Sequence, residues 1–201
     1  MHNSKIIENA KKHVNKLLLP LEEHYYHSYG HALDVMERAK YLAQKEWLSK
    51  DEIEILSLAW LFHDTGFIIQ YDNNEPIWAK IAKNYLKSIL YPDYKINEIE
   101  RIILATSPDY KVPKDKYEEI IKDADMDNLW RDDFLDKNDK LKQEIEEIKH
   151  IKINDPEWKH ASVELLKEYK YRTNAQQSER NQKKIENLKK MLHELEDDSI
   201  I

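Results

Sequence analysis

Residues 49–66 read SKDEIEILSLAWLFHDTG. Ser49 and Glu52 stand at capping-box spacing, where each side chain can satisfy the other's backbone N–H, so a helix starts here. From Ile53 to Phe62 nearly every residue is apolar, which leaves no face for water and puts this helix at the centre of its domain. The run closes on His63, Asp64, Thr65 and Gly66, and Gly66 is expected to supply the left-handed residue of a helix end. A buried ionised carboxylate is costly unless it is paired or bound to a cation, so Asp64 needs a compensating partner.

The flanking segments are helical too. SKIIENAKKHVNKLLL, residues 4–19, carries apolar residues at helical spacing and stops before Pro20. A second helix runs from His27 or Ser28 to Trp47 on the stripe Ala32, Val35, Met36, Ala39, Leu42, Ala43, with His27 and His31 of YHSYGH in its first turn. Beyond Gly66 the loop FIIQYDNN leads to Pro76, a good first helical residue, and the spacing predicts helices over 77–90, 96–106, 115–130, 133–152, 155–171 and 173–196. Only two glycines and six prolines in 201 residues leave few positions for hairpin turns. The fold class is therefore all-α, a single-domain bundle of about eight or nine helices. Its motif-bearing core covers about 20–132, and the less apolar helices over about 133–197 pack on it as an outer layer.

Cysteine is absent, which excludes disulfides and thiolate metal sites. No stretch approaches the roughly 20 apolar residues of a membrane span, and none has the layout of a signal peptide, so the expected compartment is the cytoplasm with no membrane partner. The net charge of −7 is spread without a basic stripe, which argues against duplex nucleic acid. Apolar helical stripes serve cores and interfaces alike, so a homo-oligomer stays open.

A second carboxylate group lies in IIKDADMDNLW, residues 120–130. Positions 121, 125 and 129 share one helical face, so Asp125 aligns with Ile121 and Leu129 and is expected to point inward. Asp123 and Asp127 are expected to face solvent or the rim. Two imidazoles and two carboxylates, His31, His63, Asp64 and Asp125, make a good donor set for one divalent cation. Such donors suit Mn, Fe, Co, Ni or Zn, and carboxylate with water suits Mg.

The series YHSYGH, LFHDTG, KDADMD resembles the H…HD…D signature of the HD-domain superfamily of metal-dependent phosphohydrolases, over roughly residues 24–131. The resemblance assigns His31, His63, Asp64 and Asp125 as metal ligands. It implies an HD-type helical fold and hydrolysis of a phosphate ester or anhydride by metal-activated water. The substrate is then a small phosphorylated compound, a nucleotide first among them. Two-metal members carry further histidines, one of them beside a Glu in the helix after the HD pair. This chain has Asn74-Glu75 and LATSPDY there, which argues for one metal.

Within that reading Asp64 is placed to orient the water, and Glu75, at a helix start, is the candidate for proton transfer. His27, one turn before His31, is a candidate for substrate contact or for support of the ligands. Lys80 and Lys83, Arg38, and Arg180 with Lys184 on one face of the last helix are candidate phosphate contacts. Against each stands the simpler reading of a solvated surface charge. The alternative function is a catalytically silent nucleotide-binding or sensing module in the same pocket.

Overall fold

The computed structural model describes residues 2–21 and 26–198. Residues 22–25, inside the expected core range, lie outside the described residues, as do 1 and 199–201. The described residues form helices only: α1 (His2–Leu18), α2 (Tyr29–Lys45), α3 (Lys50–Phe62), α4 (Glu75–Ser88), α5 (Asp93–Leu104), α6 (Lys116–Asp125), α7 (Phe134–Lys149), α8 (Asp155–Glu168) and α9 (Asn174–Asp198). Short 3₁₀ turns occupy Leu19–Leu21, Thr65–Ile68 and Met126–Trp130. Among the described residues no helix is long and apolar enough to cross a membrane.

Helix α3 is the axis of the fold. Its capping box is formed, with the Glu52 N–H donating to Ser49 and the Ser49 N–H donating to Glu52 Oε2 at 2.7 Å. Every residue from Glu54 to Phe62 is buried. On one side α2 lays Ala32, Val35, Met36, Ala39, Leu42 and Ala43 against it, and on another α5 contributes Ile96, Ile99, Ile102 and Ile103. Helices α1, α4 and α6 complete this core. Burial of side chains of this size contributes about 1.5–3 kcal/mol each, so the ends of α3 are held firmly.

Three local expectations change. Gly66 has no left-handed backbone; it is small because a Cβ there would overlap the Trp78 indole, and so it sets the approach of α4 to the end of α3. The helix expected over 115–130 is α-helical only to Asp125, then tightens into a 3₁₀ turn, which changes the angular step between successive side chains. Asp123 and Asp127, expected toward solvent or the rim, are buried. The reason lies beyond residue 132, where the chain returns to cover that side of α6.

The C-terminal helices build a second cluster around Trp130, with Leu129, Phe134, Val163, Leu166, Tyr171 and Met191. The two clusters meet at a buried polar seam. Asp123 accepts hydrogen bonds from the N–H groups of Arg172 (3.0 Å) and Thr173 (2.7 Å), from the Thr173 hydroxyl (2.8 Å) and from Tyr169 (3.2 Å). Asp127 accepts from Gln176 Nε2 at 2.7 Å and pairs with Arg38 and Arg180, each at 3.0 Å.

Candidate metal centre

Three helix ends deliver the site. His31 sits in the first turn of α2, where its backbone N–H donates to the Ser28 cap. His63 is the C-cap of α3 and Asp64 follows it into the 3₁₀ turn. Asp125 closes α6. Helix termini hold side chains at fixed positions while freeing them from the lattice of the helix surface, so four groups from three segments can face one point.

His63 Nδ1 donates to the Trp60 carbonyl at 2.6 Å, which fixes the tautomer and leaves Nε2 with its lone pair toward the site. The ring is wedged edge-on between the indoles of Trp60 and Trp78. Asp64 Oδ2 lies 3.1 Å from His63 Nε2 and 3.4 Å from His31 Nε2. Asp125 Oδ1 lies 3.8 Å from each of those nitrogens. Donors sharing one ion at bonds of about 2.1 Å stand roughly 3.0–3.4 Å apart, so the set is already close to a coordination shell. His31, His63 and Asp125 offer donor atoms all within 4.8 Å of one another.

Two of these atoms, His63 Nε2 and Asp64 Oδ2, are fully buried and, among the described residues, have no hydrogen-bond partner beyond each other. A lone pair facing a carboxylate oxygen in a dry site is unfavourable without a positive charge between them. A divalent cation fits that requirement, and the nitrogen and oxygen donors suit one.

Burial drives the His31 imidazole down to about 3, against the pull of Asp64, so it is neutral and able to ligate at pH 7. Burial would raise the Asp64 carboxyl and lower the His63 imidazole, but each holds the other's charged form, so Asp64 lies far below the usual range and His63 above it; the positive charge between them is a proton on His63 Nε2 or a cation in its place. Asp125 is raised by burial and by the charge of Asp64, with His63 opposing.

Beside the cluster opens a cavity of about 490 Å³ lined by Asp64, Asp125, His27, Glu75, Phe67 and Trp78, within the usual range for a small-molecule site. Glu75, buried at the start of α4, thus borders the same space as Asp64. His27 stacks on Phe67 and is clamped by Glu144 of α7, which also accepts from the backbone N–H of Tyr26 and His27 at 2.9 and 2.8 Å and from Tyr71 Oη at 3.2 Å.

Glu144 was not foreseen from sequence. Helix α7 reads as a solvated charged helix, yet Glu144 falls on its thin apolar stripe with Leu141, Ile145 and Ile148, the same signal that singles out Asp125.

The other sequence candidates are not drawn to the cavity lining. Arg180 is paired with Asp127, Arg38 with Asp127 and Glu179, and Lys83 with Glu100. Lys184 donates to the Tyr169 carbonyl at 2.9 Å and lies over Trp130, and Lys80 is exposed on α4.

Against known proteins, the family model described as HD domain matches residues 28–127, a span holding His31, His63, Asp64 and Asp125. No curated protein and no solved structure matches the chain.

Proposed function

We propose, since this chain belongs to the HD-domain superfamily, that it is a metal-dependent phosphohydrolase. It would act in the cytoplasm on a phosphate ester or anhydride of a small phosphorylated compound, in the first instance a nucleotide. The observation that carries the reading is the convergence of two imidazoles and two carboxylates on one point, His31, His63 and Asp64 buried and Asp125 partly exposed, with His63 Nε2 and Asp64 Oδ2 lacking any other partner among the described residues.

His31, His63, Asp64 and Asp125 would hold one divalent cation, which supplies Lewis acidity toward a phosphoryl oxygen and toward water. The chain's own groups do the rest. Asp64 faces both the cluster and the cavity, so its carboxylate accepts a hydrogen bond from the attacking water and orients it. Glu75, across the cavity, is the group to pass a proton to the leaving oxygen. Phe67 and Trp78 present aromatic surface able to stack a planar substrate and to exclude water. His27, held by Glu144, stands at the edge of the same space.

The test is phosphate release by purified protein supplied in turn with Mn, Mg, Co, Ni and Zn, across mononucleotides, nucleoside triphosphates and simple esters. Release that depends on metal and is lost in Asp64→Ala is expected. No release from any of them while the protein holds metal contradicts the reading.

A silent binding module is favoured by one feature. The further histidine that the resemblance to two-metal members would lead one to look for beside Glu75 is Asn74 here, whose amide is taken up by the carbonyls of Gln70 (3.0 Å) and Tyr71 (2.8 Å). Tight nucleotide binding with no product after prolonged incubation supports that alternative.

A further inference from the structure

A second cleft, of about 310 Å³, lies on the far side of Asp125. It is bounded by the loop after α5, by α6 and by the α8–α9 connection. Thr106, Pro108 and Asp125 line both this cleft and the cavity beside the metal cluster, so the two spaces adjoin at Asp125.

The cleft gathers three cations, Lys111, Lys122 and Arg172. Among the described residues none of the three has a carboxylate within ion-pairing distance. Arg172 donates to Tyr169 Oη and to backbone carbonyls, and Lys122 to the Ser107 carbonyl at 3.4 Å. This contrasts with Arg38, Arg101, Arg131 and Arg180, each of which meets at least one carboxylate. The cations also press on one another: burial and the charges of Arg172 and Lys111 push the Lys122 amine down, with Asp125 opposing. A repulsive group of like charges, with Lys122 and Arg172 half-buried and Lys111 at the exposed mouth, is what an anion would relieve. Between the cations and Asp125 the walls are apolar, with Ile121, Met126 and Leu165.

We infer that this cleft holds a second phosphate of the substrate, so that the protein acts on small organic compounds with phosphates at two separated positions rather than on simple monoesters. One phosphate sits at the cluster, the organic body spans the apolar wall, and the far phosphate lies among Lys111, Lys122 and Arg172. Three cations match a phosphate dianion better than a singly charged carboxylate. The inference rests on the hydrolase reading for the role of the first phosphate.

The probes are methylphosphonate, with one anionic end, and propane- and hexanediphosphonate, with two, none of which contains a hydrolysable P–O ester. Their binding to the metal-loaded full-length chain is measured by calorimetry. Wild type is expected to bind at least one diphosphonate about tenfold more tightly than methylphosphonate. In Lys111→Gln/Lys122→Gln that advantage should fall to within about twofold while methylphosphonate affinity is kept, and Lys167→Gln, on the outer face of α8, should keep it. If circular dichroism shows that the double variant has lost helix, Lys111→Gln is scored alone, since Lys111 is exposed.

No advantage in wild type at either length, or an advantage that survives the substitutions, overturns the inference. Inactivity of wild type on every phosphate ester would sink the hydrolytic reading yet leave the diphosphonate advantage intact. Absence of the advantage in wild type that nonetheless turns over a phosphate ester would sink only this inference.

Discussion

His63 shows how much of the site is decided by one residue. Its Nδ1 is committed to the Trp60 carbonyl, its ring is fixed by two indoles, and its Nε2 has no partner but the cluster. His63→Ala should therefore lose metal while keeping the helical signal, read by elemental analysis beside circular dichroism; retained metal would contradict the assignment. Asp123, two residues before Asp125, has a different duty. It accepts from Arg172, Thr173 and Tyr169 and touches none of the cluster. Asp123→Asn turns an acceptor into a group with two donors facing donors. The expected cost is roughly 1–3 kcal/mol in denaturant unfolding with metal content unchanged. An unchanged midpoint would mean that the seam is not held as described. The sequence places Asp123 toward solvent or the rim, because the groups it serves lie about 50 residues further on.

At the scale of elements, helix packing converts these residues into a site. Gly66 lets α4 close on the end of α3, and Gly66→Ala should cost about 1–3 kcal/mol through overlap with Trp78, measured as a lowered unfolding midpoint. Helix α7 acts through Glu144 on the segment that leads into α2. Burial alone would lower the His27 imidazole and raise the Glu144 carboxyl, but their mutual hydrogen bond and charge prevail, so His27 is raised above 6.5 and Glu144 is lowered below 4.5. The carboxylate's stabilisation is present above about 4.5 and is lost as pH falls through its depressed value. The imidazole's is complete below 6.5 and is lost as pH rises through its raised value. The stability difference between wild type and Glu144→Gln should thus be largest between pH 4.5 and 6.5 and shrink on both sides; a flat difference would count against the clamp. What was legible at this scale followed from local signals: the capping box at Ser49, the all-round apolar run of α3, and the stripe that turns Asp125 inward. The 3₁₀ turn after Asp125 and the depth of Asp127 and Glu144 were not legible, since each depends on a helix that arrives much later in the chain.

For the whole molecule, the C-terminal helices are part of the core's electrostatics. Asp127 depends on Gln176 and Arg180 as well as Arg38, and Asp123 on the turn that precedes α9. A chain ending before Thr173 would leave two buried carboxylates short of partners, so it should lose cooperative unfolding and metal together, as judged by thermal melts and metal analysis. A truncated chain that melts like wild type and keeps its metal would show that the two clusters are independent. The full chain, by contrast, joins both clusters through that seam and brings two clefts together at Asp125. Everything proposed here rests on one ion held by His31, His63, Asp64 and Asp125. The direct measurement is elemental analysis of wild type beside Asp64→Ala, both purified without chelator. Near one divalent metal per wild-type chain, and none in the variant, is the expected result. Metal absent from both after reloading, or equal in both, would contradict it.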